Sequence, residues 1–170
     1  KINNNLKESN IFWDKTKILA ITFGTGRVYI HKGKENPVAN CHKIPAQEFG
    51  HKLLTVNEIV EYWAGILEQI VTKKPNLKVL FTVSPIRHWK DGAEGNQVSK
   101  STLILAVHKL AQQFPESVFY FPAYEIMMDE LRDYRFYKDD MLHPSDLAIS
   151  YIWEKFQQAL VNTKDQKLSK

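Results

Sequence analysis

The chain has 170 residues, 44% of them apolar and 12% aromatic, which is enough to bury one hydrophobic core, and a single compact domain is the expectation. Its 23 basic and 19 acidic residues leave a formal charge of +4, but they are interspersed, so the surface is mixed rather than a nucleic-acid footprint. One cysteine, Cys41, excludes an internal disulfide and a thiolate metal cluster and is compatible with a reducing, cytoplasmic compartment. No stretch approaches the roughly 18 consecutive apolar residues of a membrane span, and the opening KINNNLKESN has no apolar signal segment.

Residues 1–16 read as a polar lead. KILAITF (17–23) is an apolar run of strand length, stopped by Gly24, Thr25 and Gly26, as expected of a buried strand that ends in a tight loop. RVYIH (27–31) predicts a short second strand. The following segment to Leu54 carries two prolines and no clear period, and reads as an ordered loop. From 55 to 74, Ile59, Trp63, Ile66 and Ile70 repeat at helical spacing, with Thr55 as N-cap and Glu58 closing a capping box. LKVLFTVS (77–84) is nearly continuous in apolar residues, the pattern of a strand buried on both faces. The loop 86–97 then leads to a helix predicted over 99–114 with Leu103, Ala106, Val107 and Leu110 inward. SVFYFPAYEI (117–126) begins as a strand, EIMMDELRDY as a short helix, and the last helix is predicted over 144–161 with Ile149, Ile152, Trp153 and Phe156 at core spacing. This alternation predicts an α/β domain over 17–161 with a parallel sheet, and a frayed tail over 162–170.

In parallel sheets, sites form where strand carboxyl ends open into loops, and the unusual polar residues fall in those loops. Asp140 and His143 are three apart, a spacing at which a carboxylate orients an imidazole and leaves its second nitrogen free as a base; the alternative is that one of them caps the last helix. Asn40 could donate to a developing oxyanion, with His42 and Lys43 contacting an anionic or sugar substrate, or the same residues could form a surface turn. Arg87 and His88 end a strand; Arg87 could clamp a carboxylate, fix the catalytic loop, or pair with an acid of DELRDYRFYKDD. His31, His42, His51, His88 and His108 show no ligand spacing, so no metal is expected.

Taken in order, FGTGRVY, ANCHKIPAQEF, FTVSPIRHWKDG, NQVSKSTL, YFPAYEIMMDELRDYRFYKDDMLHPS and YIWEKF resemble the GSCFA family of bacterial proteins, within the SGNH hydrolase superfamily, over about residues 17–157. The resemblance implies a three-layer α/β/α, flavodoxin-like fold and serine esterase or acyltransferase chemistry without a cofactor, on small or carbohydrate O-acyl esters. It maps the superfamily's Asp–His pair onto Asp140 and His143. Where the superfamily carries Gly-x-Asn-Asp, this chain has Gly24-Thr25-Gly26-Arg27, so the oxyanion asparagine is displaced and Asn40 is its candidate substitute. The family's Gly-Ser-Cys-Phe-Ala motif, whose serine is the expected nucleophile, does not occur in these 170 residues. The expectation is therefore a portion of a longer protein that lacks its first strands, with KILAITF offering an exposed edge for self-association. Ser84, Ser99 and Ser101 are weak substitutes, the latter two explained by N-capping. Tyr124, Tyr134, Tyr137 and Trp89 would suit stacking on sugar rings or simply pack the site wall. The alternative function is a non-catalytic ligand- or partner-binding remnant of the same fold.

Overall fold

Strand β5 (Lys78–Val83) organises the molecule because its sequence has an apolar residue to offer on either side. Val79, Phe81 and Val83 point to one face and are fully buried, whereas Leu80 points to the other. Both neighbours are parallel: β1 (Ile18–Phe23) pairs from Ile18 opposite Lys78 to Phe23 opposite Val83, and β6 (Val118–Phe121) from Val118 opposite Val79. The computed structural model describes residues 2–33, 36–38 and 43–161, and within them the sheet order is β1-β5-β6.

Each parallel step is bridged by a helix, α2 (Val56–Lys73) between β1 and β5 and α3 (Gly92–Gln113) between β5 and β6. Because the strands progress in one direction and such crossovers are right-handed, both helices fall on the same face. There Ile59, Val60 and Leu67 of α2 and Leu103, Ala106, Val107 and Leu110 of α3 close over the inner side of β5. The opposite face is covered by α5 (Asp146–Leu160), whose Tyr151, Ile152 and Phe156 pack on Leu80 and Phe121. The result is the three-layer α/β/α arrangement expected from the sequence. Cover on this second face stops short of β1, where Ile18 is 64% exposed beside exposed Ala20 and Thr22.

Several elements go beyond the sequence expectations or differ from them. The polar lead is helical, α1 (Ile2–Lys15), with Trp13 packed on the core and the Lys74 ammonium bonded to the Trp13 and Asp14 carbonyls. The segment read as a loop contains β3 (Asn36–Val38) and β4 (Phe49–Leu53), which flank β2 (Arg27–His31) in a small antiparallel sheet of order β3-β2-β4. Helix α3 starts at Gly92, not at residue 99, so Ser99 and Ser101 are interior to it and cap nothing. Ile66, Ile149 and Trp153 are 45%, 51% and 53% exposed, and in α2 the neighbouring Leu67 takes the inward position instead. The run after β6 begins as a single helical turn, α4 (Ala123–Glu125), and widens into a π-type turn over Ile126–Glu130.

Candidate active site

The loop between the π-type turn and α5 is held from several sides. Tyr137 and Pro144 form an isolated antiparallel bridge, Lys138 donates its amide to the His143 carbonyl at 2.8 Å, and the Ser145 amide reaches the Phe136 carbonyl at 2.8 Å. Met141 closes the turn at φ 59°, a left-handed conformation uncommon for a side chain of its kind. Within this frame Asp140 Oδ1 accepts the backbone N–H groups of Leu142 and His143, each at 2.9 Å, and Oδ2 lies 2.5 Å from His143 Nδ1. The two amides, first that of His143, and then its ring hold the Asp140 carboxyl at a pKa of about 2, so it is ionised at neutral pH and fixes the ring with Nδ1 as donor. Nε2 is thereby left as the basic nitrogen and has no hydrogen-bond partner among the described residues. Neither residue caps α5: Ser145 is its N-cap, accepting from the Ala148 amide.

A second loop, Ser84–Asp91, leaves the end of β5 and is fastened to the first by Arg87. Its amide reaches the Leu142 carbonyl at 3.4 Å, and its guanidinium donates to Tyr137 Oη at 2.8 Å while lying over that ring. Arg87 thus meets a phenol and not an acid of the 129–140 stretch. His88 is anchored through its backbone N–H to Asn96 Oδ1 at 2.9 Å, and its ring lies against Gly24, Nε2 being 3.5 Å from where a Cβ on that glycine would stand. Burial, and then the Lys100 charge, lower the His88 pKa and favour the neutral ring.

The third loop, Gly24–Gly26 after β1, is tied to α3. Thr25 Oγ1 and Ser99 Oγ are 3.0 Å apart, and the Gly26 amide donates to Ser99 Oγ at 2.8 Å. Lys100 is fully buried and its ammonium donates at 2.7 Å to both the Gly24 and the Ser84 carbonyls, clamping the carboxyl ends of β1 and β5 together. Burial lowers its pKa to about 8. These α3 partners lie 73 to 76 residues from the third loop and 16 from the start of the second, and nothing in the sequence marked Lys100 or Ser99 as their tie.

Of the predicted site residues, Thr25, Arg87 and His88 line one cleft of about 460 Å³ together with Leu142, the neighbour of His143. Gly24 stands behind His88. Asn40 and His42 lie outside the described residues. Tyr124 is buried, with its hydroxyl on Gln97 Oε1 at 2.6 Å, so it packs the wall beneath Lys100 and offers no stacking face. Tyr134 opens instead into a separate depression with Arg132 and Met127. Ser84 Oγ accepts the Ile86 amide at 3.3 Å and Ser99 is 1% exposed, so neither is placed as a nucleophile. Among the described residues no three His, Cys, Asp or Glu side chains gather as a metal site, and no helix is long and apolar enough to cross a membrane.

Fold and loops together define a three-layer α/β/α protein whose polar groups, including an oriented Asp–His pair, gather at the carboxyl ends of parallel strands. The chain belongs to the GSCFA family, whose model matches residues 1–156 and so takes in α1 as well as the motif-bearing region. No curated protein and no solved structure matches it significantly.

Proposed function

We propose that this chain supplies the base half of an SGNH-type acyl-ester hydrolase or acyltransferase acting on small or carbohydrate O-acyl esters. The observation that carries the reading is the Asp140–His143 geometry: a carboxylate fixed by two backbone amides, bonded to Nδ1 at 2.5 Å, and a free Nε2. In such a pair Nε2 takes the proton of a serine hydroxyl as its oxygen bonds the ester carbonyl carbon. The proton then passes to the alkoxy leaving group as the carbon–oxygen bond breaks. Water, or a second alcohol in the transfer reaction, repeats the exchange on the acyl-serine.

Ser84 and Ser99 are occupied in structural hydrogen bonds, and the nucleophile in this reading comes from a segment outside the 170 residues. A strand laid parallel along the side of β1 that has no strand partner among the described residues would end level with Gly24, at the same end of the sheet as the site loops. His143 and Asp140, with side chains 50% and 46% exposed, leave room for it. That same openness supports the second reading, a binding module of the same fold without turnover.

Turnover of p-nitrophenyl acetate by the longest product of the gene and by this chain, each with and without His143→Ala, separates the two. Activity of the longer protein that falls by at least about a hundredfold in the variant is the expected result. Activity of this chain that depends on His143 would place the nucleophile within it, and no His143-dependent activity in either protein would leave the binding reading.

A further inference from the structure

We propose that the 460 Å³ cleft beside Leu142 binds a negatively charged carbohydrate, which names the substrate class of the ester-processing site and rests on that reading. Its volume is that of a small-ligand site, and its walls come from unrelated parts of the chain. The small antiparallel sheet gives Tyr29 and His51, whose rings meet at 4.6 Å, and the loop after β5 gives Trp89, 55% exposed. Flat aromatic faces with polar edges suit the mixed C–H and hydroxyl surface of a sugar ring.

The charge on these walls is one-sided. Arg27, Arg87 and Lys90 face a single lining carboxylate, Asp91. Arg27 pairs with Asp91, its buried Nε lying 3.0 Å from Oδ2 without hydrogen-bond geometry. The Arg87 guanidinium meets the Tyr137 phenol and no carboxylate, and Lys90 is exposed and forms no ion pair, among the described residues. Helix α3, 22 residues long, begins directly after Asp91 and adds the positive end of its dipole to the same wall. Lys90 is the cation on this wall with no acceptor among the described residues, and a uronate carboxylate among ring hydroxyls supplies one where a neutral sugar does not. Leu142 places the occupant one residue from His143.

Calorimetric titration of the full chain with trigalacturonate, with maltotriose and with inorganic phosphate tests this. The acidic trisaccharide is expected to bind about tenfold more tightly than the neutral one, and Trp89→Ala and Lys90→Ala each to weaken it about fivefold or more, with unchanged far-UV circular dichroism. Both side chains are exposed, so the fold does not depend on them. Equal affinity for both sugars, no binding of either, or displacement of trigalacturonate by an equal concentration of phosphate would overturn the inference. Because binding is measured without turnover, these outcomes leave His143-dependent esterase activity standing, and loss of that activity alone removes only the ester reading.

Discussion

Lys100 combines complete burial with two hydrogen bonds that hold the site loops. Its ammonium loses hydration, which lowers its pKa to about 8 from 10.5, yet it donates to two carbonyls at the ends of β1 and β5. A neutral amine still carries two protons, enough for both carbonyls. The folded pKa lies below the unfolded one, so the penalty for burying the charge is fully present below about pH 8 and is relieved as pH rises toward 10.5. Stability of the native chain is therefore expected to rise over that window relative to Lys100→Met, by at most about 3 kcal/mol, in urea melts at matched pH values. Parallel curves for the two proteins would show that the amine is not desolvated in solution. His143 and Asp140 work differently: they sit near solvent, and their order comes from a turn of four residues whose bonds are nearly all local. For this reason the pair was legible in the sequence, while Lys100, Ser99 and Asn96, which bind the site loops from a distant helix, were not.

Helix α2 carries its start signal in its own first turn: Thr55 Oγ1 accepts the Glu58 amide and Glu58 Oε2 accepts the Thr55 amide at 2.8 Å. Thr55→Ala removes one half of that box and is expected to destabilise the chain by about 1 kcal/mol, read as a lower denaturation midpoint with an unchanged slope. A change below the error of the melt would mean that tertiary contacts alone fix the helix end. Local signals of this kind, and the apolar run of β5, made the parallel core readable. Elements defined by partners were missed. β3 contains Pro37 and is a strand only because it lies at the edge of β2, where a missing N–H is tolerated. The first turns of α3 contain Gly92 and Gly95 and read as loop, but a Cβ at Gly95 would stand 2.9 Å from the Asp91 Cβ and 3.3 Å from the Arg27 guanidinium. Here a close approach needed by the cleft outweighs helix propensity.

For the molecule as a whole, β1 is the weak point of the sheet. It pairs only with β5 among the described residues, and Ile18, Ala20 and Thr22 are exposed on the face that α5 does not reach. An apolar, unpaired edge favours association with another strand. Sedimentation of the chain at rising concentration is expected to show self-association that Ile18→Lys weakens about tenfold or more, and a monomer at every concentration would sink the idea. Fold class was legible from the strand–helix rhythm, but the bare flank of β1 is a matter of strand order, which no local pattern encodes. The parallel sense of β1 has a further consequence. A strand that docks beside it in the same direction brings its final residues to the Gly24 turn whether or not the two are covalently joined. On the proposed esterase reading, a separate peptide carrying the serine is expected to complement the chain in trans, with the dose of that peptide setting the activity.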